Sequence, residues 1–340
     1  MTMDNIAAVL YGPREIRIEN RDVPQRRPGD VLVRVLAVGV CGSDVHYYRH
    51  AQIGDTRIDK PIILGHEASG VVVEADDGGQ LAVGQRVSIE PHRPCGHCRE
   101  CIAGRYNMCR TVEFLAHPPT DGALAQIIAV PAAFCFPVSD SVSDDEAALV
   151  EPLAVGLWAA TRTRITAGDR VLVVGAGPIG LLAAQVANAV GATTVIVVDV
   201  STPRINKAST YPGVNGTLLG DVGYSELGEF DVVIECSGAP GALRDAASAL
   251  APRGRIAAVG IGRNPLSELD ILLIQSRELE LYGVYRYAGI YDRAIALLEA
   301  GRVDVASLVT HRFPLAQTDE AMSIGETDPD AIKAIIYPQR

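Results

Sequence analysis

The sequence predicts an α/β protein in two parts: an irregular, mostly antiparallel β domain, and a parallel-sheet nucleotide-binding domain inserted into it. Three observations carry this. Residues 1–150 alternate short β-like runs with glycine and proline turns. From Asp169 to about Gly283 the strands become continuous apolar runs, the mark of strands buried on both faces. One of those runs leads straight into Gly175-Ala176-Gly177-Pro178-Ile179-Gly180. The expected boundaries are 1–152 and 286–340 for the first domain and 153–285 for the insertion.

Taken in order, Val31–Val38 reads as a strand and Gly70–Glu74 as another. Pro28-Gly29, Pro61, Gly78-Gly79, Gly84 and Pro118-Pro119 punctuate them. Near Ser143 the texture changes. Asp144, Asp145 and Glu146 open an amphipathic helix, with acids where a helix N-terminus favours them. Val171–Val174, Val195–Val198, Val232–Ile234 and Ile256–Val259 are the parallel strands, with helical segments between them. Tyr291–Ala300 is a helix closed by Gly301, and Ala331–Tyr337 is an apolar strand that returns to the first domain.

Bulk properties narrow the class. A chain of 340 residues suffices for two domains. It is 48% hydrophobic but 5% aromatic, so the core is mainly aliphatic. A net charge of −11 without a basic run argues against nucleic acid and anionic membranes as partners. Met1–Leu10 lacks the basic start and long apolar run of a signal peptide. No segment reaches the roughly 18 uninterrupted apolar residues of a membrane span. Seven cysteines in such a chain read as thiols or metal ligands. The expectation is a soluble cytoplasmic protein.

Cys95, Cys98, Cys101 and Cys109 stand at C-x2-C-x2-C-x7-C in one short loop. Tetrahedral zinc takes four thiolates at about 2.3 Å, and this spacing lets one loop wrap the ion. Four thiolates leave no position for substrate, so the site reads as structural. An iron–sulfur cluster and a disulfide pair are the alternatives, with nothing else in the chain resembling an electron-transfer protein.

The glycine motif has its required context: a strand before it, the helix Ile179–Val190 after it, and Asp199 at the end of the next strand. Gly175 permits the tight turn, Gly177 lets backbone approach a pyrophosphate, and Gly180 permits close helix–strand packing. The helix N-terminus, at Pro178 and Ile179, faces the phosphates. Asp199 can accept bonds from both adenosine ribose hydroxyls and would repel a 2′-phosphate, favouring NAD over NADP. Arg204 nearby could instead serve a phosphate. A glycine turn that binds FAD, or nothing, is the alternative.

Cys41, His66, Glu67 and Glu151 form a second candidate metal set. One thiolate, one imidazole and one or two carboxylates suit zinc and leave a position for a substrate oxygen. Each alone is more often structural. Their joint occurrence with a four-cysteine loop and a dinucleotide motif reverses that weighting.

These motifs resemble the zinc-containing medium-chain dehydrogenases, and within them the sorbitol (L-iditol)/xylitol dehydrogenase branch. The resemblance runs through CGSDVHYY (41–48), LGHEASG (64–70), IEPHRPCGHCRECIAGRYNMC (89–109), HPPTDGAL (117–124), EPLAVG (151–156), VVGAGPIGL (173–181), ECSGAP (235–240), GVYRYA (283–288) and THRFPL (310–315). It implies a GroES-like catalytic domain with an inserted Rossmann domain, a catalytic and a structural zinc, NAD, a polyol substrate and a tetramer. By resemblance, Cys41, His66 and Glu67 hold the catalytic zinc, and Glu151 binds it directly or through water. Ser43 and His46 relay the substrate proton. Tyr47, Phe114, Glu151, Arg286 and Tyr287 line the polyol pocket. Val259, Val284 and Arg286 join the glycine loop and Asp199 around the cofactor. The same resemblance implies oxidation of a secondary hydroxyl to a ketone, reversibly. A threonine or 2,3-butanediol dehydrogenase is the rival within the family.

Two departures stand out. Some animal sorbitol dehydrogenases lack the four-cysteine loop, which this chain keeps, as bacterial and xylitol-type members do. After Asp199 the family has a longer helix, which Tyr211-Pro212-Gly213-Val214-Asn215-Gly216 interrupts here.

Overall fold

A computed structural model describes residues 4–220, 222–262 and 269–340. The chain divides into two compact units: residues 1–151, 291–299 and 305–340 form the first, and 152–290 with 300–304 the second.

In the first unit the main sheet runs Cys135–Pro137, Arg86–Ile89, Glu67–Glu74, Asp30–Gly39, Lys333–Tyr337, Val309–Pro314. Strand Ile127–Pro131 also pairs with Asp30–Gly39. Only the last two strands of the path pair in parallel. Val33, Val35, Val38, Ala68, Val72, Val87, Ile89 and Ile336 fill the core beneath it. These are aliphatic residues, as the low aromatic content requires. The C-terminal strand adds to the edge of Asp30–Gly39, pairing Ile335 with Gly39. On its other side Gly39 pairs with Glu67. This register brings residues about 300 positions apart in sequence to one point of the sheet.

A short helix, Asp144–Ala148, is fixed to this sheet at both ends. Ser143 caps it: its hydroxyl accepts from the Glu146 N–H at 3.3 Å, and its own N–H donates to the Glu146 carboxylate at 2.8 Å. The buried hydroxyls of Ser69 and Ser88 donate to the carbonyls of Asp144 and Ala147 at 2.7 and 2.6 Å. Glu151 follows at the start of helix Val150–Arg162 and is buried.

The second unit is a six-stranded parallel sheet. Its order is Val214–Leu218, Thr194–Asp199, Arg170–Val174, Phe230–Glu235, Leu250–Ala258, Glu280–Gly283. In sequence rank this is 3-2-1-4-5-6, the order of a dinucleotide-binding Rossmann sheet. The four apolar runs expected as strands lie in it, except that the last ends at Ala258 and leaves Val259 just beyond the strand. The interruption after Asp199 is accommodated by a short helix, Thr202–Ala208, and an edge strand, Val214–Leu218. Glycine at 216 is required there, because a Cβ would stand 2.5 Å from the Ile205 carbonyl oxygen. No helix among the described residues is long and apolar enough to cross a membrane.

Candidate active site

Cys41 precedes the helix Gly42–His50, and its backbone N–H donates to Asp44 at 3.1 Å. His66 and Glu67 stand at the start of strand Glu67–Glu74, after Gly65. Gly65 has φ +87°, and a Cβ there would press on Val38 at 2.8 Å, so glycine permits the turn that delivers His66. The donor atoms of Cys41, His66 and Glu67 lie within 4.8 Å of one another. His66 and Glu67 are buried, and Cys41 is partly so. A soft thiolate, an imidazole and a carboxylate converging in a buried place suit a zinc ion.

Two charged residues that the sequence reading passed over complete this arrangement. Asp44 is buried and lies 3.5 Å from His66 Nδ1, while its other contacts are the N–H groups of Gly65 and Cys41. A carboxylate behind a ligating histidine fixes the ring's orientation and raises its basicity. Burial opposes the charged ring, but Asp44 and Cys41 outweigh it and hold His66 well above the usual imidazole range. Burial likewise works against the Asp44 carboxylate, yet His66 and the two N–H groups hold it below its ordinary value. Lys333, also buried, donates to both oxygens of Glu67 at 2.8 Å and to the Val40 carbonyl at 3.0 Å. Sequence held a signal for each. Asp44 is an acid one helical turn from Cys41, and Lys333 is a lone charge opening an otherwise apolar strand.

The remaining expected residues of this unit stand nearby or apart as follows. Phe114 packs its ring 5.5 Å from that of His66. Tyr47 is buried on helix Gly42–His50. Ser43 and His46 are three residues apart on the same helix, a spacing that puts them on neighbouring turns of one face. Glu151 lies outside the set of mutually close donors, but its charge acts on Lys333.

The four cysteines converge by a different route. Their sulfurs lie within 4.8 Å of one another, with Cys95 to Cys101 at 3.8 Å and Cys98 to Cys101 at 3.5 Å. A tetrahedron with 2.3 Å bonds has edges of about 3.8 Å. A disulfide requires about 2.05 Å, so these spacings fit a shared ion and not a bond. N–H groups of the loop point at the sulfurs, Cys98 to Cys95 at 3.4 Å and Cys95 to Cys109 at 3.5 Å. Donors from the backbone of His97 and Cys98 pull the Cys95 thiol down to about 6. The loop rests on a buried polar cluster. Tyr106 donates to Glu90 at 2.7 Å, and His92 lies 3.1 Å from the same carboxylate oxygen. Burial pushes Glu90 up to about 8. The His92 ring in turn contacts Tyr106 and Phe114, at centroid distances of 5.6 and 4.9 Å.

In the second unit the glycine loop has the expected shape. Gly175 has φ +98°. A Cβ on Gly180 would meet the Gly175 carbonyl oxygen at 1.8 Å, so close packing there demands glycine. At Gly177 a Cβ would meet nothing within 4 Å, which leaves the backbone open to an approaching group. Pro178 and Ile179 form the first turn of helix Pro178–Ala189, with Gly177 as its N-cap. Asp199 accepts from the Ala176 N–H at 2.7 Å and the Ser201 N–H at 2.9 Å, which locks the carboxylate beside the loop. Val259 and Val284 stand just past the carboxyl ends of their strands, bonded to the Glu235 and Ala258 carbonyls. Ligands of such sheets bind at that end. Arg204 is half-buried on helix Thr202–Ala208. Arg286 adopts φ +52° with its guanidinium 4.9 Å from the Tyr285 ring, and Tyr287 is fully buried.

The chain matches two family patterns: the alcohol dehydrogenase GroES-like domain over residues 27–140, and the zinc-binding dehydrogenase domain over 178–300. It is 39% identical to a sorbitol dehydrogenase of Bacillus subtilis, an alignment that covers 98% of this chain and 97% of the other. The chain belongs to the zinc-containing medium-chain dehydrogenases, in the sorbitol dehydrogenase branch. Solved structures agree. A short chain alcohol dehydrogenase from Escherichia coli complexed with NADH superposes with a TM-score of 0.91 at 29% identity, covering 98% of this chain and 99% of that one. The 2R,3R-butanediol dehydrogenase of Bacillus subtilis gives 0.89 at 30%, with the same coverages. In this dehydrogenase both donor sets fit zinc, one by its mixed chemistry and the other by its sulfur spacing.

Proposed function

We propose that this chain is a zinc- and NAD-dependent polyol dehydrogenase that oxidises a secondary hydroxyl of a sugar alcohol of the sorbitol, xylitol or L-iditol type to the ketose, reversibly. The observation that carries the proposal is the buried convergence of Cys41, His66 and Glu67. It occurs in a chain whose other unit carries an open glycine loop with Asp199 locked against it.

When bound, zinc supplies a Lewis acid for the substrate oxygen and NAD supplies the hydride acceptor. The chain's residues do the rest. Cys41, His66 and Glu67 would hold the ion, and Asp44 orients His66. Ser43 takes the hydroxyl proton and passes it toward His46, one turn further along the helix. Tyr47, Glu151 and Arg286 supply polar partners for the hydroxyls of a polyol, and Phe114 closes the apolar side; Tyr287, fully buried, offers no surface to a substrate. Gly175, Gly177 and Gly180 admit the pyrophosphate to the N-terminus of helix Pro178–Ala189. Asp199 accepts from the ribose hydroxyls and repels a 2′-phosphate, with Arg204 beside it. Val259, Val284 and Arg286 complete the cofactor wall. The cysteine set at 95, 98, 101 and 109 holds a structural ion.

The chain acts on a small molecule. Self-association, a tetramer by family resemblance, is supported by the edge strand Glu280–Gly283, which among the described residues pairs on one side only and exposes Leu281, with Ile271 and Leu272 exposed nearby in sequence.

The test is kcat/KM for sorbitol, xylitol, L-iditol, 2,3-butanediol and threonine, each with NAD+ and NADP+. At least one polyol with NAD+ should exceed every other pairing by tenfold or more. The butanediol dehydrogenase among the structural neighbours makes that diol the specific rival. Its victory over every polyol would overturn the substrate assignment, and equal use of NADP+ would overturn the role of Asp199.

A further inference from the structure

Lys333 sits where a cation is least expected. It opens the strand Lys333–Tyr337 and is 3% exposed, and its ammonium contacts both oxygens of Glu67, which is 1% exposed. Its third contact is the Val40 carbonyl, next to Cys41. The sheet register builds this meeting. Gly39 pairs with Glu67 on one side and with Ile335 on the other, two residues from Lys333. Glycine at 39 leaves room for the carboxylate, since a Cβ there would stand 2.1 Å from Glu67 Oε2 and displace it. The charges of Cys41, Glu67 and Glu151 all bear on this one ammonium.

We propose that Lys333 is a positioning residue of the metal centre, holding the Glu67 carboxylate by both oxygens so that this ligand is oriented and partly neutralised toward the ion. The consequence is a centre that binds its metal less tightly than the bare donor set would and leaves the ion more electron-poor toward substrate. The ammonium competes with the metal for the same oxygens and repels it across a buried, weakly screened space. With both carboxylate oxygens held by the one ammonium, lysine also keeps the Glu67 side chain in place when the metal is away. This inference rests on the Cys41/His66/Glu67 reading above.

The experiment measures zinc transfer from the purified full-length protein to a chromogenic chelator, in parallel with total zinc. Wild type should hold two equivalents and release them in two phases. Cys98→Ser identifies the phase that belongs to the cysteine loop. In Lys333→Met, the phase from the Cys41 centre should slow by tenfold or more, while the cysteine-loop phase stays unchanged. Turnover should fall as well. Lys333→Arg, which keeps charge and two donors, should restore the wild-type release rate. If Lys333→Met does not fold, Lys333→Gln, which keeps a donor and drops the charge, carries the same expectation. Two equivalents of zinc with unchanged or faster release in these variants would overturn the role of Lys333 alone. A wild type holding only the cysteine-loop equivalent would overturn the metal-centre reading itself.

Discussion

The two candidate metal-ligand clusters of the first unit are made in opposite ways. The four cysteines fall within fifteen residues of sequence, on a loop whose sulfurs are mostly only partly buried. The loop's own N–H groups aim at those sulfurs, and little of the sheet takes part. Cys41, His66 and Glu67 come instead from a helix start and a strand start, and their supports reach to Asp44 and to Lys333 at the far end of the chain. The first cluster is a local clamp that a few turns can define. The second is a product of sheet register, and its ligands are held by charges that only tertiary structure brings near. A local clamp suits stability, and a site assembled from several elements is one that packing can tune.

The comparison predicts a sharp separation of mutant effects. The largest belongs to the assembled centre. Cys41→Ser should lower kcat/KM by about 10^3-fold or more, because the Lewis acid is lost with the ion. It should leave the melting temperature within a few degrees of wild type. Activity assays beside thermal unfolding test this, and retained turnover would remove Cys41 from the centre. Cys98→Ser should show the reverse. Its melting temperature should fall by about 5 °C or more, since metal affinity at such a loop is folding free energy. Specific activity per folded molecule at 20–25 °C should change by less than about fivefold. A Cys98→Ser variant as stable as wild type would show that the loop holds no structural ion.

The smallest effect probes what the loop rests on. Glu90 is held up at about 8 by burial, while in the unfolded chain it ionises near its ordinary 4.5. The folded state therefore keeps a proton that the unfolded state has released across that window. Stability from this group is present below pH 4.5 and is lost as pH rises toward 8, by at most about 1.4 kcal/mol per pH unit. Glu90→Gln cannot ionise and keeps an acceptor for Tyr106. Its stability relative to wild type should improve steadily from pH 5 to pH 8 in urea titrations. A difference that stays flat with pH would mean that Glu90 is not the buried neutral acid beneath the loop.

What was legible in the sequence follows the same division. Local and periodic features were readable: the cysteine spacing, the glycine motif between strand and helix, and the apolar runs at 171–174, 195–198 and 232–234. Each depends on residues within one or two elements. Apolar runs at 70–74 and 331–337 marked two strands, but their register was not visible, and the register is what sets Glu67 against Lys333. The helix Gly42–His50 was hidden, because two histidines, two tyrosines and an arginine give it no apolar stripe. It forms because tertiary packing buries Asp44, Tyr47 and Tyr48. Sequence by itself thus determined the chemistry on offer, the family, and the two loops whose local spacing suits a ligand. Only the tertiary structure decided which charges stand behind the ligands, since contacts across hundreds of residues depend on strand pairing that composition and spacing do not encode.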